Sequence, residues 1–146
     1  MSLVTDSIFI AAIQSNPALV ERIGGRLYGT AIPLPDEDAD NVPVPYIIVT
    51  FDGLNNQNQT KDDVYEGSYD TVNIGVEVTG ETINDLHELT QMVRGTILSY
   101  FREHETAVND YTFSADAIQY DSLKPCYWQT LRYQCEVYNL NDDEQD

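Results

Sequence analysis

From Thr71 to Val78 the chain alternates without exception. Val72, Ile74, Val76 and Val78 are branched aliphatics, and Thr71, Asn73, Gly75 and Glu77 stand between them. Successive side chains of a strand point to opposite faces, so this run specifies a strand with one face in a core and the other toward water. Four residues later the period changes. After Thr82, the residues Ile83, Leu86, Thr90, Val93, Ile97 and Phe101 recur at steps of three or four, with Leu89 and Tyr100 widening the stripe. That spacing predicts a long amphipathic helix, opened by Thr82 with Asp85 in the capping-box position. Asp85, His87, Glu88, Gln91, Arg94 and Arg102 cover much of its other side. Gly95 in mid-helix costs about 1 kcal/mol relative to alanine, which predicts close packing of the helix against the sheet at that position. A one-faced strand running into a one-faced helix requires a two-layer domain.

The flanking segments fill in that plan. Phe9, Ala12 and Ile13 share one face of a helix predicted from Thr5 to Ser15. A second helix is punctuated by Asn16 as N-cap, Pro17 at the first helical position, an apolar stripe of Leu19, Val20 and Ile23, and Gly24-Gly25 as its stop. Residues Arg26–Ala31 read as a short strand. Pro33, Pro35, Pro43 and Pro45 surround Asp36-Glu37-Asp38-Ala39-Asp40 and exclude regular structure there. The β-branched and aromatic run Tyr46–Phe51 predicts a strand, and the polar segment Gly53–Ser68 a long loop, of the kind that is functional or disordered. Two more strands are expected at Tyr111–Gln119 and Tyr127–Tyr138. In the last, Tyr127, Leu131, Tyr133, Cys135 and Val137 share a face opposite Trp128, Thr130, Arg132, Gln134 and Glu136. The fold class is therefore α+β: a mostly antiparallel sheet of four to five strands, with the long helix and the N-terminal helices packed on one face. Residues 1–140 form one domain and residues 141–146 an acidic tail.

Charge narrows the function classes. Seven basic residues (Arg22, Arg26, Lys61, Arg94, Arg102, Lys124, Arg132) against 25 acidic ones give a formal net charge of −18 over 146 residues. Phosphate-backbone binding depends on Lys and Arg displacing counterions, so nucleic-acid binding is not expected, and neither is an anionic membrane surface. No apolar run approaches the ~18 residues of a membrane span, and the first six residues lack the basic start of a signal peptide. The expectation is an acidic intracellular domain. Cys126 and Cys135, nine apart in one strand, point to opposite faces and cannot pair; they read as buried hydrophobes.

Chemistry-bearing motifs fail at defined positions. His87-Glu88-Leu89-Thr90-Gln91 has Gln where a zinc helix needs its second His. His104, near the end of the same helix, has no spaced partner. Asp36, Asp38 and Asp40 resemble a calcium loop whose Gly position holds Asn41 and whose Glu position holds Ile47. A loose divalent-cation site on those carboxylates is the alternative to a solvated acidic loop. Asn58-Gln59-Thr60 matches a glycosylation acceptor that has meaning only after secretion. With no nucleophile elbow, phosphate-binding loop or activated thiol, the chain reads as non-enzymatic, with no catalytic, cofactor-binding or metal residues to assign. Ten tyrosines are a different signal. Tyr111, Tyr120, Tyr127, Tyr133 and Tyr138 fall in or between the last two strands, where they mark either an interface or simple strand preference.

A helix ending in Gly24-Gly25-Arg26-Leu27-Tyr28 after Asn16-Pro17, a proline-rich segment, and a strand opening Pro45-Tyr46-Ile47-Ile48-Val49 resemble the bacteriophage tail-completion (tail-terminator-like, head–tail joining) proteins. The strand Thr71–Val78 running into the helix from Thr82 extends the resemblance over roughly residues 3–103. The acidic proline loop, the Asn/Gln-rich loop and the acidic tail depart from that pattern. The resemblance implies a phage or prophage virion protein at the head–tail junction, present in host cytoplasm during assembly. It would cap the tail tube as a ring, commonly of six subunits, between tail-tube protein and head–tail connector. The alternatives are a head–tail connector or other minor virion protein, and an acidic cation-binding adaptor with no phage role.

Overall fold

The computed structural model describes residues 4–29, 43–56 and 69–138. Helices α1 (Thr5–Gln14) and α2 (Pro17–Arg22) come first, then strands β1 (Leu27–Tyr28), β2 (Ile47–Asn56) and β3 (Tyr69–Gly80). Helix α3 (Ile83–Glu103) follows, then β4 (Val108–Ala115), β5 (Gln119–Asp121) and β6 (Cys126–Tyr138). The sheet order is β1-β2-β3-β6-β4, with β5 also on β6. Among the described strands, β1 and β2 alone pair in parallel. This is the α+β arrangement expected, with all three helices on one face.

Local chemistry accounts for the helix ends. Asn16 Oδ1 accepts from Ala18 N and Leu19 N at 3.1 and 3.4 Å, while its amide donates to Thr96 Oγ1 on α3 at 2.9 Å, so one cap also ties α2 to the long helix. Gly24 and Gly25 take φ of 62° and 74°, the left-handed region that ends a helix. Thr82 Oγ1 accepts from Asp85 N at 3.1 Å. Between β3 and α3, a Cβ on Gly80 would lie 2.8 Å from the backbone nitrogen of Leu86, so only glycine permits the sharp reversal onto the sheet.

Phe9, Ile13, Leu19 and Ile23 from the first helices meet Leu86, Leu89, Val93 and Ile97 of α3 over Val72, Ile74, Val76 and Val78 of β3. Leu131, Tyr133, Cys135 and Val137 of β6 complete this core. Both alternating patterns therefore bury the face expected of them.

Several expectations are corrected. Strand β2 runs on through Asn56, so Gly53–Asn56 belong to the sheet, with a bulge at Asp52 and Gly53 at φ 137°. The strand expected at Tyr111–Gln119 is two. The Asp116 carbonyl accepts from the Gln129 side chain at 2.8 Å instead of extending the edge ladder, which brings the sheet to six strands. Ile83, first in the predicted α3 stripe, is 43% exposed, and Leu89 rather than Thr90 enters the core. Gly95 faces away from the sheet, and a Cβ there would meet nothing within 4 Å. The segment Arg26–Ala31 contributes two strand residues, and its last two lie outside the described residues. The acidic proline run at 36–40, the Asn58-Gln59-Thr60 triplet and the acidic tail at 141–146 also lie outside them.

Candidate functional site

Among the described residues, no group of three or more His, Cys, Asp and Glu is placed to hold a metal. His87 is exposed on α3, and His104 ends that helix with its ring stacked on Tyr100 at 4.3 Å between centroids. Cys126 and Cys135 are unpaired and buried; burial pushes the Cys135 thiol up to about 12 and also raises Cys126, so both stay protonated. Among the described residues, no helix is long and apolar enough to cross a membrane.

With the described helices on one side, the other side of the sheet carries no helix among the described residues, and the strand register lays it out in rows. Thr50 of β2, Gly75 of β3, Arg132 of β6 and Ser114 of β4 lie side by side. Here Arg132 holds Asp116 with Nε at 2.9 Å and Nη2 at 2.7 Å, and approaches Asp52 at 3.6 Å. The Arg132 hydrogen bond keeps the Asp116 carboxyl below its usual range. Beside this trio Asn73, Thr112 and Gln134 line a shallow trough of about 420 Å³. This half of the face is polar and internally paired.

The other half is different. The next row is Tyr28, Ile48, Glu77 and Thr130, and beyond it lies Thr79 with Trp128 as its partner on β6. Thr79 is 1% exposed; its hydroxyl accepts from Tyr46 N at 2.8 Å and lies 3.0 Å from Tyr46 O, pinning Tyr46 alongside. Tyr28 meets Tyr46 edge-on at 6.4 Å, and Lys124 Nζ lies 5.1 Å over the Tyr46 ring. Glu77 is half-buried in this aromatic setting, and desolvation raises its carboxyl above 4.5.

The tyrosines picked out by composition divide between core and surface. Tyr133 is 1% exposed and its ring touches those of Phe9, Tyr111 and Phe113 at 5.0–5.4 Å. Tyr111, half-buried, belongs to the same cluster, so neither is free for a partner. Tyr120, 54% exposed, pairs with Tyr127 at 4.9 Å. Beside them Leu123 stands 96% exposed on a turn in which Asp121 Oδ1 accepts from Leu123 N at 3.0 Å. The side chain of Tyr138 is outside the description. Sequence parity placed Trp128 and Glu77 opposite the core, but neither composition nor spacing brought Tyr46, Ile48 and Trp128 around Glu77; that juxtaposition is a property of the register.

On the helical side, Asn16, Pro17, Met92, Gly95, Tyr100 and His104 line an open groove of about 710 Å³. Most cations here serve the fold. Arg22 pairs with Glu88 at 3.0 Å, Arg26 Nε donates to the Pro45 carbonyl at 3.0 Å, and Arg94 lies 4.0 Å over Phe113.

No protein family and no curated protein is matched by the sequence. Among solved structures, a chain from the virion of a native gene transfer agent (GTA) particle is similar to this one, with a TM-score of 0.51 at 9% sequence identity. The likeness covers 88% of this chain and 90% of that chain, and at this identity it is a likeness of fold.

Proposed function

We propose that this chain is a non-enzymatic structural protein of a phage or phage-derived virion, which caps the tail tube as a ring and joins the tail to the head. The observation that carries this reading is the fold shared over 88% of this chain and 90% of a chain in a gene transfer agent virion. The tail-completion resemblance over residues 3–103 is independent of it and agrees with a role in a phage-like virion. The architecture suits a ring. One broad face is helical and, among the described residues, the other is sheet without helices; a contact between these two unlike faces is heterologous and closes into a ring when the rotation per subunit permits. Charge suits the location at the head–tail junction. Each copy contributes −18, and a lumen of that sign lets DNA slide through without adhering.

The test is co-assembly with a tail-tube protein from the same genome, followed by reconstruction of the particle. A ring of this protein at the end of the tube is the expected result. Copies confined to the portal side would assign it to the connector instead. Failure to co-assemble at high concentration overturns the reading.

A further inference from the structure

Glu77 occupies an unusual position for a carboxylate. It lies on a central strand, on the sheet face that no described helix covers, between Ile48 and Thr130 and within the electrostatic reach of Tyr46. It makes no hydrogen bond and no ion pair among the described residues. The neighbouring carboxylates Asp52 and Asp116, by contrast, share Arg132. A partly desolvated anion without a counter-charge costs folding free energy, and a protein surface that keeps one gains from a cation brought by something else.

The helical side carries a matching feature. Arg102, in the last turn of α3, is exposed and makes no hydrogen bond or ion pair among the described residues. Leu98, one turn earlier, is 38% exposed, the largest apolar side chain on the outward side of that half of the helix. Residues four apart share a helix face, so a leucine and a guanidinium without an ion pair stand together on the exposed side of α3, with Arg102 also within electrostatic reach of Tyr111 on β4. Arg22, Arg26, Arg94, Lys124 and Arg132 are each engaged within the subunit.

We propose that the Leu98–Arg102 edge of α3 in one copy docks on the helix-free sheet face of the next copy, with Arg102 pairing Glu77 and Leu98 packing among Tyr46, Ile48 and Trp128. The occupant is a second copy of this chain, and the argument for it is complementarity: an apolar surface with an unpaired anion at its centre faces an apolar side chain with an unpaired cation beside it. Desolvation at the contact strengthens the ion pair, and the planar guanidinium stacks on aromatic faces as an ammonium does not. Because helix layer meets sheet layer, every copy uses both surfaces, which is the heterologous contact a ring requires. The inference rests on the ring reading above and supplies the faces that meet.

The experiment is sedimentation velocity on the full chain at 0.5 M salt, where repulsion between subunits of charge −18 is screened. The parent protein is expected to associate, and more strongly than at 0.01 M salt. E77R and R102E should each weaken association at least about tenfold, the range found for close interfacial charge pairs, and the E77R/R102E double variant should recover most of it. Thermal melts of the single variants separate loss of contact from loss of fold, and E77Q adds a neutral, near-isosteric control that weakens association without reversing charge. Singles that associate like the parent, or a double variant no better than the singles, would overturn this pairing while leaving the virion reading intact. A parent chain that stays monomeric at 0.5 M salt would overturn it too. Failure to join the tail tube is the separate result that removes the function on which it rests.

Discussion

Replacing Gly95 with alanine is a perturbation whose sign depends on where the helix points its glycine. Packed against the sheet, the added methyl would collide and the variant would be less stable. The structure puts Gly95 on the outward side of α3, with nothing within 4 Å of an added Cβ. Its φ is not positive, so alanine adopts the same backbone without strain. The substitution then acts through the chain itself: glycine in the interior of a 21-residue helix gives up more backbone freedom on folding than alanine does. The gain is about 0.5–1 kcal/mol. For a domain of this size that raises the melting temperature by about 1–4 °C. Circular dichroism melts of parent and Gly95→Ala, with urea midpoints as a second measure, read it directly. A variant that melts at or below the parent temperature would refute the outward placement of Gly95, and with it the rotation assigned to α3.

Other substitutions probe the sheet and its charge. Asn56→Ala should cost about 1–3 kcal/mol, because the Asn56 amide donates at 2.6 Å to Asp70, which is 4% exposed; a melt within about 0.5 kcal/mol of the parent would remove Asn56 from the sheet. Val76→Asp and Val93→Asp each place a charge at a position 0% exposed and should cost several kcal/mol of a total near 5–15, so parent-like melting would contradict the packing of α3 on β3. Glu77→Gln should be more stable than the parent near pH 7. The raised carboxyl pKa means the native state holds the proton more tightly than the unfolded chain, so its penalty is complete above the folded pKa and absent below about 4.5. The difference in melting temperature between E77Q and the parent should therefore shrink as pH falls toward 4; a constant difference would contradict the cause given. In a mobility-shift assay the protein should leave duplex DNA unshifted from about 0.01 to 0.5 M salt, and any shift would contradict the charge argument.

Local rules were readable wherever one short window contains the whole cause. Asn16 and Pro17 open α2, Thr82 opens α3, and the glycine pair ends α2, because each of these groups satisfies backbone atoms within a few residues. The alternation in β3 and β6 named the buried faces correctly, since strand parity is a property of the chain alone. Cys126 and Cys135 were kept apart by the same parity.

Tertiary structure decided what depends on partners far along the chain. β6 enters between β3 and β4, and that placement takes Tyr133 and Tyr111 into the aromatic core while Tyr120 stays at the surface. Nothing in the sequence near a tyrosine separates those outcomes. Asn56 looked like loop because its polar run has no period, yet its strand is held by β3, with Asp70 opposite it. Helical period could not orient Gly95, since α1 and α2 share the cover of the sheet and so set the rotation of α3 against it. Glu77 was legible only as one polar position in an alternating strand. Its burial is set across strands: Ile48 and Thr130, 29 and 53 residues away in the chain, are brought to its sides by pairing. Periodicity within a strand says which face a residue shows, and only the register between strands says what surrounds it there.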